Sequence, residues 1–88
     1  MLKKSLLIHS SDNVAVLLED ARSGDSILVN QREITLRESI EFGHKVSICA
    51  IKAEDDVCKY GNVIGYMLAD IPEGTWIHNH NMGCRRGQ

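Results

Sequence analysis

One pattern recurs along this chain: an apolar stretch, a turn of two or three residues, then a return to apolar residues. Asp20-Ala21-Arg22-Ser23-Gly24-Asp25-Ser26-Ile27 is echoed by Asp70-Ile71-Pro72-Glu73-Gly74-Thr75-Trp76-Ile77, and Ala50-Ile51-Lys52-Ala53-Glu54-Asp55-Asp56-Val57 is a degraded further copy. In the last of these along the chain, Pro72 and Gly74 sit where a type I turn favours them. Repeated strand–turn–strand units point to a mainly β domain. The spacing predicts strands over 5–9, 27–31, 33–37, 45–51, 57–59, 63–69 and 75–80, rich in the Ile and Val that suit a pleated, half-buried surface. One short helix is expected near the N-terminus. Asp12 would cap it, Val14, Leu17, Leu18 and Ala21 fall at helical spacing, and Gly24 lies just past its end. Val14, Val16 and Leu18 also alternate, which leaves a strand open there.

Eighty-eight residues fit one domain, expected over 1–88 with a core of about 5–81 and a tail at 82–88. So small a domain buries only about 60–65% of its unfolded surface, enough for one small core and a shallow cleft. A fully enclosed active site would need a second chain. With a net charge of −2 and scattered basic residues, no strong field is available to hold nucleic acid. Arg85-Arg86 reads as a solvated tail. No run approaches the roughly 20 apolar residues that cross a bilayer. Leu6-Leu7-Ile8 imitates a signal peptide only briefly before His9-Ser10-Ser11-Asp12 ends it, so a cytoplasmic location is expected. Cys49, Cys58 and Cys84 include no C-x-x-C pair, which excludes a disulfide scaffold or zinc ribbon. Cys49, in an apolar run, reads as a small core residue.

The densest polar cluster is His78-Asn79-His80-Asn81. On a strand, His78 and His80 would project to the same side. Two imidazoles there could be half of a metal site, an acid/base pair, or simply surface histidines. Gly43-His44-Lys45 suits a tight turn that presents both side chains at a strand start, either to bind a carboxylate or as an ordinary loop. In Lys59-Tyr60-Gly61 and Ile64-Gly65, two glycines four apart suggest a bulge or a close backbone approach. Lys59 reads as a general base, an anion contact or a solvated lysine. No dinucleotide fingerprint, P-loop or serine nucleophile elbow is present. Asp55-Asp56 reads as turn chemistry, and Trp76 as a core or interface anchor.

Taken in order, Asp12-Asn13-Val14-Ala15-Val16, Gly43-His44-Lys45-Val46, Lys59-Tyr60-Gly61 with Ile64-Gly65, and Asp70-Ile71 with Gly74, Trp76, His78, His80 and Asn81 resemble the N-terminal domain of altronate and galactarate dehydratases. The resemblance runs from about residue 12 to 81. It departs from the family at Glu54, where a glycine is usual, and at Glu41, where a proline is common.

The resemblance implies an SAF-type β-clip fold and a role as a separately encoded small subunit, or an excised N-terminal-type domain, of a sugar-acid hydro-lyase. Such a chain would be inactive without a large catalytic subunit. The small subunit of a sulfolactate sulfo-lyase is an alternative, and so is a non-catalytic SAF module that binds carbohydrate acids. His78, His80 and Lys59 would be catalytic. His44, Lys45 and Asn81 would contact a hydroxy-carboxylate substrate. His78 and His80 would also be the ligands of a divalent metal, expected to be iron. These groups are expected to converge into a half-pocket that another polypeptide closes. Neither nucleic acid nor membrane is expected as a partner, and a homo-oligomer stays open.

Overall fold

The computed structural model describes residues 1–84, so the Arg85-Arg86 tail lies outside the described residues. The chain is built from ten short strands: β1 (Leu2–Lys3), β2 (Ser5–Leu6), β3 (Val14–Leu17), β4 (Ser26–Val29), β5 (Arg32–Thr35), β6 (Lys45–Ser47), β7 (Asp56–Lys59), β8 (Asn62–Met67), β9 (Trp76–Ile77) and β10 (Met82–Gly83). They form three sheets, ordered β1-β4-β5, β10-β8-β7 and β2-β3-β6-β9. All pairs are antiparallel except β1 with β4. The mainly β expectation holds.

The short helix does not form, and among the described residues there is no helix at all. Its core is β3, sandwiched between β2 (Ser5↔Leu17) and β6 (Val14↔Ser47). Val14, Ala15 and Leu17 are all buried, so the strand is covered on both faces. A short, nearly continuous apolar run fits both a buried strand and a helix, so periodicity alone does not separate them. Several other strands are shorter than their patterns suggested. The run over 45–51 ends at Ser47, and the chain then bends, leaving Cys49 exposed rather than in the core.

The echo seen in the sequence is fourfold. Ala21, Ile40, Ile51 and Ile71 each form a single bridge, Ala21 with Ile40 and Ile51 with Ile71. Three residues after each comes a positive φ: Gly24 at 93°, Gly43 at 87°, Glu54 at 74° and Gly74 at 83°. The N–H of each of these residues donates across the chain, to Leu36 O just past β5 and to the strand residues Leu17 O, Met67 O and Ser47 O, at 2.8–2.9 Å. Each of these acceptor residues donates back to the residue after the turn (Leu36 to Asp25, Leu17 to His44, Met67 to Asp55, Ser47 to Thr75). The copy hidden in the sequence is Ile40-Glu41-Phe42-Gly43-His44-Lys45. The G-H-K cluster is therefore one of the four structural turns.

Two hairpins complete the plan. Asn30-Gln31 joins β4 to β5 and Tyr60-Gly61 joins β7 to β8, each with positive φ at both turn residues, the signature of a type I′ turn. Each half of the chain thus holds two bridge–turn units around one hairpin. The core follows suit. One cluster includes Leu17, Ile27, Ile34, Leu36, Ile40 and Val46, and the other contains Val14, Ile51, Val57, Met67 and Ile77.

Candidate functional site

The β6–β9 pairing sets the site. Its register is Lys45↔Ile77 and Val46↔Trp76. His44, just before β6, and His78, just after β9, therefore meet at the same end of the four-stranded sheet. Trp76 shares a face with Val46 and packs against the first core cluster.

Trp76 is the hub. Its indole Nε1–H donates to His44 Nδ1 at 3.1 Å. His44 sits edge-on to the indole, with centroids 5.6 Å apart. His78 stacks on it at 5.5 Å and 11° between planes, and also lies 5.3 Å from His44. His80 approaches the indole to 4.8 Å at 42°.

The strand expected to carry both histidines stops at Ile77, and 78–81 form a turn. His78 O accepts from Asn81 N and Met82 N at 3.1 and 3.0 Å. Asn81 Oδ1 accepts from His78 N at 3.0 Å, and its Nδ2 donates to Trp76 O at 2.9 Å. Both ends of the Asn81 amide thus shape the turn that holds the imidazoles. His78 and His80 each rest on Trp76, an arrangement that strand alternation does not produce.

Lys45 leaves β6 on the face opposite Val46 and His44. It is half-buried, and desolvation together with the neighbouring Lys59 charge holds its ammonium below the usual lysine range. Lys59 Nζ also lies 4.7 Å from the Tyr60 ring centroid. The sheet end is therefore ringed by imidazoles on one face and by a lysine pair on the other. Two clefts elsewhere, of about 540 Å³ (Leu2, Lys3, Lys4, Ser5, Leu18, Leu28) and 290 Å³ (Glu33, Thr35, Arg37, Glu73), include none of these residues.

The Lys59-Tyr60-Gly61 turn is pinned from a distance. The Asp12 carboxylate accepts N–H bonds from Gly61, Tyr60 and His9 at 2.8, 2.9 and 3.1 Å. Burial pushes its pKa up, but these three bonds and the nearby His9 outweigh it and hold the carboxyl below the usual range. Beside it, β7 bulges between Val57 and Cys58. Asn13 stitches the bulge, its Oδ1 accepting from Cys58 N and its Nδ2 donating to Asp56 O, both at 2.8 Å. Gly65 answers to packing. A Cβ there would run into Gly83 O and lie 3.0 Å from Met82 Cγ, because β10 crosses β8 at that point.

As for a metal, no three of the His, Cys, Asp and Glu side chains among the described residues are grouped to hold an ion. His44 Nδ1 is already taken by the indole. The expected ligands from this chain were two, His78 and His80, and both rest on the Trp76 indole.

Sequence reasoning missed Trp76 as an organiser and Asp12 and Asn13 as the clamp on a remote hairpin. The signal for Trp76 was present: it is the one tryptophan of the chain and stands two residues before His78.

The described residues form a small all-β domain with three imidazoles gathered around one indole at a sheet end. It belongs to the altronate/galactarate dehydratase SAF domain family, whose model matches residues 3–85. The chain is similar to the altronate dehydratase of Escherichia coli strain K12, 45% identical over 74 residues, which are 84% of this chain and 15% of that protein. The Bacillus subtilis altronate dehydratase is 36% identical over 80 residues, 91% of this chain and 16% of that protein. The (2R)-sulfolactate sulfo-lyase subunit alpha of Paracoccus pantotrophus is 42% identical over 53 residues, 60% of this chain and 79% of that subunit. The chain thus spans about one-sixth of the altronate dehydratases it matches.

Proposed function

We propose that this chain is the small part of a cytoplasmic lyase that eliminates water from a sugar-acid hydroxy-carboxylate, completed by a larger polypeptide. The observation that carries this is the gathering of His44, His78 and His80 around Trp76 at one end of a sheet. The hard step is removal of a weakly acidic proton beside a carboxylate. A base takes that proton, the electron pair forms the C=C bond, and the neighbouring hydroxyl leaves as water with a proton from an acid. A positioned base or acid contributes ~10²–10⁴-fold. His78 and His80 are the proton-transfer groups in this proposal, with His44 on the substrate carboxylate from the same face, while Lys45 and Lys59 on the other face are left out of direct contact with it. Asn81 holds the turn that carries the pair and contacts substrate only from that position.

A divalent ion, expected to be iron, would stabilise charge building on the carboxylate when bound. Because no three-ligand group occurs among the described residues, the larger polypeptide would supply most of the shell.

A second substrate follows from the other relative, since the chain is 42% identical to the Paracoccus sulfolactate sulfo-lyase alpha subunit over 53 residues. The same base chemistry with sulfite as leaving group would suit that relation.

The test is reconstitution with the large polypeptide and assays on altronate, galactarate and sulfolactate. The isolated chain should turn over none of them. In the assembled complex, His78→Ala and His80→Ala should each lower the rate by at least about 10²-fold. Robust turnover by the isolated chain would reject the proposal. An unchanged rate in both variants, with assembly intact, would make the domain a non-catalytic acid-binding module.

A further inference from the structure

We propose that Trp76 is a positioning residue that fixes the tautomer of His44 and the ring plane of His78. The proposal rests on the functional reading above only for its catalytic consequence.

An indole N–H can donate and never accept. The imidazole nitrogen it reaches, His44 Nδ1 at 3.1 Å, must therefore be the one without a proton. In neutral His44 the remaining proton sits on Nε2, making that nitrogen a donor and leaving the ring no second acceptor. A free imidazole exchanges its proton between both nitrogens, so this contact converts a two-state group into a single-state donor.

The same indole holds His78 flat against its face, 11° from parallel. Its own frame is rigid. The Trp76 backbone N–H donates to Glu38 Oε2 at 3.0 Å, its backbone carbonyl accepts from Asn81 Nδ2 at 2.9 Å, and its ring packs on the core. The imidazoles thus inherit their orientation from a residue that is itself over-determined. Such support of functional histidines preorganises a site, and its loss costs activity rather than fold.

A packing role alone would be served equally well by phenylalanine, which keeps a ring face for His78 but has no N–H. The experiment is therefore Trp76→Phe, read first by two-bond ¹H–¹⁵N correlation of the histidine rings in the ¹⁵N-labelled chain above about pH 8, where ordinary imidazoles are neutral. The wild-type chain should show His44 with a pyridine-like Nδ1 and a pyrrole-like Nε2. Trp76→Phe should move both resonances toward the average of two tautomers. In the reconstituted complex the same variant should lose about tenfold in kcat, the effect typical of removing a histidine's orienting partner.

A pyrrole-like Nδ1 or averaged resonances in the wild-type chain would overturn the proposal without any variant needing to fold. So would a Trp76→Phe spectrum unchanged at His44, or an altered spectrum with unchanged kcat. If the reconstituted complex turned over no hydroxy acid, the functional proposal would fail, while the ring spectra would still decide the role of Trp76.

Discussion

Asp12 shows how a side chain's chemistry can be legible while its partner is not. A carboxylate ahead of an apolar run was expected to cap a helix, that is, to accept unpaired backbone N–H groups. It does accept three, but two of them belong to the Tyr60-Gly61 turn, 48 and 49 residues away. Its carboxyl is held below the usual range, so the folded state binds its proton less readily than the unfolded chain does. The stabilisation is fully present above the ordinary carboxylate pKa of about 4 and is lost as pH falls through the lower folded value. We expect melting temperature to fall below about pH 4, and Asp12→Asn to melt lower at neutral pH with a flatter acid limb. The limb that remains belongs largely to Asp25, which the Arg22 N–H holds low against its own desolvation, helped by the N-terminal amine. Equal acid limbs in the two proteins would show that Asp12 does not clamp the hairpin.

At the scale of elements, the turns were legible and the strand ends were not. Gly24, Gly43 and Gly74 mark three of the four bridge–turn units because the left-handed backbone there favours a residue without Cβ. The fourth carries Glu54 at φ 74°. Replacing it by glycine should relieve left-handed strain of about 1–2 kcal/mol, offset in part by the unfolded-state entropy of glycine at about 0.4–1 kcal/mol. Glu54→Gly should therefore gain roughly 0.5–1 kcal/mol in urea denaturation. Gly74→Ala should go the other way by about 1–3 kcal/mol, since its Cβ would run into the Thr35 carbonyl. Strand ends escaped the sequence because apolar alternation continues past the last ladder hydrogen bond into bridge residues such as Ile51.

Seen whole, the molecule is two similar halves joined through β6. Its radius of gyration is 12.1 Å, close to the ~12 Å expected of a compact domain this long, despite principal extents of 41 × 23 × 20 Å. The halves do not stand apart, because Val14 and Ala15 are neighbours on β3 yet enter different core clusters. Unfolding should be a single transition with equal calorimetric and van't Hoff enthalpies. Leu36→Ala and Met67→Ala, at matching places in the two clusters, should each lower that one transition by about 2–5 kcal/mol. Two resolved transitions would show the halves to be independent.

Composition and local pattern alone determined the β class, three of the four turn units and the residue types that can do acid–base work, because turn propensity and strand alternation act over a few neighbouring residues. Tertiary structure alone decided that the run after Asp12 is a strand, that the G-H-K bend is a fourth turn unit, and that three imidazoles share one indole. Those outcomes depend on contacts such as Val46 with Trp76 and Asp12 with Gly61. Contacts between positions tens of residues apart leave no local signature in the order of residues.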